Sequence, residues 1–211
     1  MKRFASWCLF TAAVLIAASA QAQTALRSGD FVRLDPPRPV ATGAAIEVIE
    51  FFYYGCPICY ELQPHMSRWL VQAPNYIVLR RIPAKASENW ESFAKLYFSL
   101  EALGEIQRLH WPVYDNFHFD GLRLNDEKVM LEWVTRNGIT RERFLEAYNS
   151  PDTLAKVGMA SEMMKQYDVR GVPTIVVDGK YLSSARIAGG TRQLMQVVDK
   201  LVQQARTERP Q

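Results

Sequence analysis

The feature that most constrains the fold is a pair of cysteines, Cys56 and Cys59, at the point where a strand pattern gives way to a helical one. Residues 46–53 are rich in β-branched and aromatic side chains, which predicts a mostly buried strand. Pro57 suits the first position of a helix, and helical spacing continues to about Val71. The two cysteines are therefore expected at the start of a helix that directly follows a core strand.

The remaining patterns predict an α/β protein with a long helical block in its middle. A second strand is expected over residues 76–81, and residues 84–167 then show helical spacing throughout. Strand character returns over 173–177 and 180–182, which flank an Asp-Gly pair typical of a β-hairpin. A last helix follows, so the predicted order is strand, helix, strand, helical block, hairpin and helix.

Four polar residues are predicted to begin helices by capping their first amide groups: Asn125, Thr140, Ser150 and Thr191. Residues 23–45 contain several prolines and glycines and are expected to form an extended lead-in with little regular structure.

The N-terminus has the pattern of a secretory signal peptide. Lys2 and Arg3 are followed by an apolar run over residues 9–18, and small residues precede a predicted cleavage site after Ala22. An uncleaved membrane anchor is the alternative, but the apolar run is short for a membrane span. Cleavage would remove Cys8 and lower the formal net charge from +3 to +1, which gives no basic excess for binding nucleic acid or an anionic membrane.

The predicted mature chain keeps only Cys56 and Cys59, and these suit thiol chemistry better than they suit a structural disulfide. A disulfide across two intervening residues closes a very small loop and stabilises weakly. Unpaired amide groups and the helix dipole at the start of a helix favour a thiolate, which predicts a lowered pKa for Cys56. Cys59, one turn further on, is expected to be the guarded thiol that completes an exchange.

Glu50 and Pro173 are two further candidate residues of the site. Glu50 lies six residues before Cys56 in an apolar strand, where it is either a buried acid able to exchange protons with Cys59 or an edge residue that faces solvent. Pro173 precedes a strand, where a missing amide is tolerated, and its peptide bond with Val172 is expected to be trans on frequency alone.

These residues together resemble a known family. Glu50-Phe51-Phe52, then Cys56-Pro57-x-Cys59-Tyr60, and at long range Val169-Arg170-Gly171-Val172-Pro173 are similar to the DsbA family of periplasmic dithiol oxidases. The resemblance implies a thioredoxin-like fold with a large inserted all-helical domain. The predicted division is a signal peptide (1–22), a thioredoxin-like domain (23–83 and 168–211) and a helical domain (84–167).

The resemblance also implies roles for individual residues. Cys56 matches the exposed nucleophile, Cys59 its buried partner, Glu50 the buried acid and Pro173 a cis-proline beside the disulfide. Val172 would bind an extended substrate peptide through its backbone, with Pro57 and Ile58 at the same surface. The family's best-known residue at position 58 is histidine, so Ile58 puts the strength of the oxidant in doubt.

Partners and cofactors follow from the same resemblance. The expected substrates are reduced exported proteins in the periplasm, and the expected reoxidising partner is a quinone-linked membrane oxidase of the DsbB type. The redox-active Cys56–Cys59 disulfide is the only redox group expected, with no separate cofactor and no metal, and the protein is expected to be a monomer.

Two alternatives stay open. A disulfide isomerase or reductase on the same fold is one, although the residues between the predicted cleavage site and the first strand are too few for the dimerisation domain of related isomerases. A metal-handling protein is the other. A tetrahedral zinc ion needs four ligands and the cysteine pair supplies two. The others would have to come from His65, His110 and His118 through tertiary contacts.

Overall fold

A five-stranded mixed sheet is the centre of the computed structural model, which describes residues 26–209. Its strands are β1 (Val32–Arg33), β2 (Ile46–Phe52), β3 (Ile77–Pro83), β4 (Thr174–Val177) and β5 (Tyr181–Ser184). They lie in the order β1-β5-β4-β2-β3, with β2 and β3 parallel and the other neighbours antiparallel. The predicted signal peptide, with Cys8, lies outside the described residues.

Eight α-helices accompany the sheet in the described part of the chain. They are α1 (Pro57–Gln72), α2 (Glu91–Ala102), α3 (Ile106–His118), α4 (Glu127–Arg136), α5 (Arg141–Tyr148), α6 (Pro151–Gln166), α7 (Ala185–Ala188) and α8 (Thr191–Glu208). Helices α2 to α6 all lie between β3 and β4 in the chain, which confirms the α/β fold with a helical insertion. The boundaries of that insertion as a domain stay a prediction. Between residues 26 and 209, no helix combines the length and the apolar character needed to span a membrane.

Strand β2 is buried along its whole length because β3 and β4 pair with its two edges and helices cover both faces. On one face, Val48 packs in a core with α1 and α8, to which Leu62, Met66, Leu194 and Val198 belong. On the other face, Phe51 joins a core built largely from the inserted helices, including Phe93, Leu96 and Tyr114. The C-terminal end of β2, from which the cysteines follow, is therefore held between the two cores.

The predicted hairpin is confirmed. Asp178 and Gly179 have positive φ angles of 54° and 64°, and the amide of Lys180 donates to the carbonyl of Val177 at 3.0 Å. Asp-Gly favours this turn because both residue types tolerate the left-handed conformation. A Cβ atom at position 179 would also lie 2.1 Å from the Arg38 carbonyl oxygen, so only glycine fits there.

The predicted helix starts are partly confirmed. Thr140 and Ser150 cap α5 and α6 with their hydroxyl groups. The prediction was wrong for Asn125, because the side chain of the neighbouring Asp126 caps α4 by accepting a hydrogen bond from a backbone amide of its first turn. It was also wrong for Thr191, which is the first residue of α8 and whose hydroxyl donates instead to Glu61 at 2.7 Å.

Two short elements were not predicted. Strand β1 lies in the lead-in that was expected to lack regular structure, and it pairs with β5 over two residues only. Helix α7 is a single turn between β5 and α8. Elements this short contain too few residues to show a hydrophobic period, so tertiary contacts define them.

Candidate active site

Cys56 occupies the junction between β2 and α1, as the sequence predicted. It is the N-cap residue of α1, has an extended backbone, and its Sγ accepts a hydrogen bond from the amide of Cys59 at 3.4 Å. Pro57 takes the first helical position, where its missing amide leaves no bond unmade. Within the described residues both Cys56 and Cys59 are free thiols, the first half-buried and the second fully buried.

The two thiols have opposite pKa shifts. A hydrogen bond from the Cys59 side chain is the main cause that lowers the pKa of Cys56 from 9.0 to about 6, and the amides of Cys59 and Ile58 contribute against the effect of burial. Burial raises the pKa of Cys59 well above its ordinary value, and the Cys56 sulfur adds to this increase. The lowered pKa predicted from the helix start is confirmed, although the Cys59 thiol contributes more than the backbone.

The peptide bond between Val172 and Pro173 is cis, as the family resemblance implied and frequency alone did not. The Sγ atom of Cys56 lies 3.6 Å from the Val172 carbonyl oxygen, close enough for an S–H hydrogen bond. The loop before β4 therefore places backbone groups of Val172 directly beside the more reactive sulfur, although the two residues are 116 positions apart in the chain.

Glu50 is fully buried, and it is not an isolated acid. Its carboxylate accepts hydrogen bonds from Gln63 Nε2 at 2.8 Å and from Arg81 Nε at 3.1 Å, so one oxygen is paired with each donor. Gln63 also approaches the carbonyl of Cys59 at 3.4 Å. Burial is the largest cause of the raised pKa of Cys59, and the negative charge of Glu50 adds to it. The strand pattern left burial of this acid open and the family resemblance implied it, but neither indicated these two partners.

A groove of about 720 Å³ lies next to the cysteine motif and runs between β1, β5, α7 and the loop before β4. Ile58, which is 43% exposed, forms part of its wall together with Val172 and Pro173. Much of the remaining wall is apolar and includes Val32, Leu34, Leu182 and Ile187. Pro57 is exposed on the first turn of α1 but is not among the described residues that line this groove.

The other side of the cysteines is formed by helix α3, which sequence reasoning did not connect with the site. His118 Nε2 donates to the carbonyl oxygen of Tyr54 at 2.7 Å, and His110 Nδ1 shares a 2.8 Å hydrogen bond with the Tyr54 hydroxyl. The eight-residue spacing of the two histidines puts them on the same helix face, and that was the available signal. His65, which the sequence offered as a possible metal ligand, lies on α1 and forms an exposed hydrogen bond with Arg68.

Comparison with known proteins agrees with this arrangement. Residues 47–202 match the family model of the DSBA-like thioredoxin domain. The chain is 36% identical over 196 residues to the thiol:disulfide interchange protein DsbA of Pseudomonas syringae pv. tomato, covering 92% of each chain. It is also 36% identical to the protein of that name from Azotobacter vinelandii, covering 84% of this chain and 83% of the relative. The crystal structure of Pseudomonas aeruginosa DsbA superimposes with a TM-score of 0.79 at 31% identity, covering 84% of this chain and 93% of that one.

Proposed function

The chain belongs to the DSBA-like thioredoxin family and is a thiol:disulfide oxidoreductase, and from this premise we propose that it acts as a dithiol oxidase. It would donate the Cys56–Cys59 disulfide to newly exported proteins in the periplasm, after cleavage of the signal peptide at residue 22. The observation that carries this proposal is the contrast between the half-buried, readily ionised Cys56 and the fully buried Cys59.

The contrast between Cys56 and Cys59 favours transfer of the disulfide from this protein to the substrate. A substrate thiolate attacks Sγ of Cys56, the Cys56–Cys59 bond breaks, and its electron pair passes to Cys59, which takes up a proton because its pKa is raised. A second substrate thiolate then attacks the substrate sulfur of the mixed disulfide. Cys56 leaves as a stable thiolate, so the substrate loses two electrons and the protein gains them.

The groove beside Cys56 suits an unfolded segment as substrate. The backbone of Val172 is positioned to pair with an extended peptide by strand addition, and apolar side chains of the peptide would lie against Ile58 and the rest of the groove wall. Pro57 would contact the segment from the exposed first turn. Recognition through backbone and apolar contacts accepts many sequences, which an oxidase of newly exported proteins requires.

Glu50 is proposed to serve the proton transfer at Cys59. Its carboxylate is tied to the Cys59 carbonyl through Gln63, and its negative charge disfavours a thiolate at Cys59. Pro173 completes the site by fixing the loop that presents Val172.

The proposed cycle closes with a partner. A quinone-linked membrane oxidase of the DsbB type would reoxidise the dithiol by accepting two electrons, and the disulfide itself would be the only redox group of this protein, which would act as a monomer. A metal-handling role has less support, because the described residues bring no three His, Cys, Asp or Glu side chains together as a metal site.

The reduction potential of the cysteine pair tests the direction. We expect equilibration with glutathione to give a value at or above about −180 mV, the oxidising end of the range for such proteins. A value near about −270 mV would identify a reductase on the same fold. The variant Ile58→His should move the potential upward if isoleucine weakens thiolate stabilisation, and Cys56→Ser should lose all oxidase activity toward dithiol peptides.

A further inference from the structure

One histidine of the inserted helices contacts both flanks of the Cys56–Cys59 motif. His118 donates from Nε2 to the carbonyl oxygen of Tyr54, two residues before Cys56. The same imidazole ring stacks on Tyr60, the residue after Cys59, with ring centroids 4.9 Å apart and an interplanar angle of 12°. A single side chain from α3 therefore touches the chain just before and just after the reactive pair.

The Tyr54 carbonyl depends on this contact. In the turn before α1 the amide of Cys56 donates to Tyr53, so the turn satisfies the carbonyl of residue 53, and His118 satisfies that of residue 54. Tyr54 is fully buried, and a buried carbonyl without a donor is unfavourable. Without His118, the peptide that leads through Gly55 to Cys56 would gain by rotating toward another donor, because glycine permits such a change.

Two further contacts attach α3 to the same two tyrosines. Eight residues earlier on the same helix face, His110 binds the Tyr54 hydroxyl at 2.8 Å. The Tyr60 hydroxyl donates to Asp115 of the same helix at 2.8 Å, and this bond is separate from the stacking of the Tyr60 ring on His118. Tyr54 and Tyr60 are thus each anchored twice to α3, and the contacts do not involve the peptide groove on the other side of the cysteines.

We propose that His118 is a positioning residue, which fixes the turn before Cys56 through the Tyr54 carbonyl and thereby makes the disulfide of this protein less oxidising. In the disulfide form the S–S bond itself restrains the turn. In the dithiol form only non-covalent contacts keep the Cys56 sulfur aligned with the Cys59 amide and thiol. Without His118 the Tyr54 carbonyl of the disulfide form cannot turn to another donor, whereas the dithiol form can relax. The contact therefore stabilises the disulfide form more than the dithiol form. The inference rests on thiol–disulfide exchange and holds for an oxidase or a reductase.

The test is the equilibrium in which the oxidised protein and two glutathione molecules give the reduced protein and one glutathione disulfide. We expect His118→Leu, which keeps apolar bulk but loses the donor, to raise this equilibrium constant by about tenfold, the size expected for one hydrogen bond to a buried group. That change corresponds to about 30 mV toward more oxidising potentials. The titration of the Cys56 thiolate, followed by its ultraviolet absorbance, should shift to higher pH in the same variant.

Matched variants separate positioning from general stability. His118→Gln retains an N–H donor and should stay within about twofold of the unmodified protein, since the hydrogen bond is kept. Tyr54→Phe removes the bond to His110 but leaves the Tyr54 carbonyl, so it should lower the stability of both redox forms alike and leave the equilibrium constant unchanged. The proposal is overturned if His118→Leu destabilises both redox forms equally with an unchanged constant, or if the equilibrium constant of His118→Gln shifts as far as that of His118→Leu.

A second pair of variants decides the matter if His118→Leu does not fold. Tyr60 is partly exposed, so Tyr60→Leu should fold while removing the ring that orients His118. It should shift the equilibrium constant in the same direction by a smaller factor, whereas Tyr60→Phe, which keeps the ring, should not. Equal constants for Tyr60→Leu and Tyr60→Phe would overturn the proposal.

Discussion

Strand β2 carries two buried glutamates, and each is paired with an arginine of β3, but only one of them belongs to the cysteine site. Glu50 lies directly opposite Arg81 in the strand register, and both of its oxygens have donors. Glu47, near the other end of the strand, pairs with Arg80 at 2.8 Å, and its second oxygen has no partner among the described residues. Both carboxylate oxygens of Glu50, beside the thiols, are thus hydrogen-bonded, whereas one carboxylate oxygen of Glu47, away from the thiols, has no partner among the described residues.

The surroundings of the two pairs explain the difference. The two glutamates are three positions apart in an extended strand, so they point to opposite faces of the sheet. Glu50 meets α1 through Gln63 and acts on Cys59, whereas the charge of Glu47 acts on Tyr167. A buried acid in β2 is therefore not by itself a sign of function. Glu50 is distinguished from Glu47 by its proximity to the thiols.

The largest expected difference between the two ion pairs is in their contributions to the free energy of unfolding. We expect Glu50→Ala to lower the free energy of unfolding by about 3–5 kcal/mol, because Arg81, with a side chain only 19% exposed, is left as a buried charge without its partner. Glu47→Ala should cost only about 1 kcal/mol, since the side chain of Arg80 is 37% exposed and can turn to water while an unpaired oxygen is removed. Denaturant unfolding of the oxidised proteins at one pH measures both, and equal losses would contradict the distinction.

Between pH 7 and pH 9 the dependence of stability on pH should come from the cysteines and not from the glutamates. Cys56 has a folded pKa of about 6, below its unfolded value of 9.0, so its thiolate stabilises the reduced fold above pH 9 and this contribution is lost as pH falls through 6. The shift corresponds to about 4 kcal/mol, which we reduce to roughly 2 kcal/mol because Cys56 is partly exposed and solvent screens the interaction. Above pH 9 the raised pKa of Cys59 opposes any further gain.

The measurement is the unfolding free energy of the reduced protein between pH 7 and pH 9, above the range in which buried His110, whose pKa is lowered by burial, contributes to the slope. We expect the slope to disappear in Cys56→Ser and to persist in Glu47→Gln, because the second variant leaves the thiols untouched. A slope of the same size in the Cys56→Ser protein would assign the pH dependence to other groups.

The reactivity of Cys59 gives a finer comparison of the two glutamates. Burial is the main cause of the raised pKa of Cys59 and remains after substitution, but the charge of Glu50 is removed in Glu50→Gln. In a Cys56→Ser background, the pH midpoint for alkylation of Cys59 should therefore be lower with Glu50→Gln and unchanged with Glu47→Gln. A midpoint that does not move with Glu50→Gln would remove Glu50 from the proton-transfer role.

Sequence patterns anticipated the parts of this site that depend on neighbouring residues. The strand over 46–53 follows from periodicity and the helix start at Pro57 from proline geometry. The lowered pKa of Cys56 follows in part from the open amides of a helix terminus, although the nearby Cys59 thiol contributes more. The hairpin follows from Asp-Gly. In each case the cause lies within a few residues of its effect, so the sequence displays it.

The parts that were not anticipated depend on contacts between distant residues. Arg81 is 31 positions from Glu50, and His118 is 64 positions from Tyr54, so no local pattern connects them. The cis bond before Pro173 followed only from resemblance to a family, because the local sequence does not distinguish the two isomers. Thr191 shows the same limit, since its hydroxyl has a partner on α1 that a local rule for capping cannot foresee.

The smallest expected effect concerns two buried tyrosines at the cysteine end, and it extends the comparison of complete and incomplete polar groups. Like the second oxygen of Glu47, the Tyr114 hydroxyl is buried without a hydrogen-bond partner in the described part of the chain, whereas the Tyr54 hydroxyl is bound to His110. Removing a buried group without a partner relieves its desolvation, whereas removing a bonded one leaves the other partner unsatisfied.

Tyr114→Phe should therefore be neutral or stabilising by up to about 1 kcal/mol, and Tyr54→Phe should destabilise by about 1–2 kcal/mol. Thermal unfolding of the oxidised proteins compares two substitutions with identical chemistry in one aromatic cluster. A loss of stability in Tyr114→Phe as large as in Tyr54→Phe would mean that the Tyr114 hydroxyl has a partner in solution, such as a bound water, and that the cysteine end is more completely paired than its side chains alone indicate.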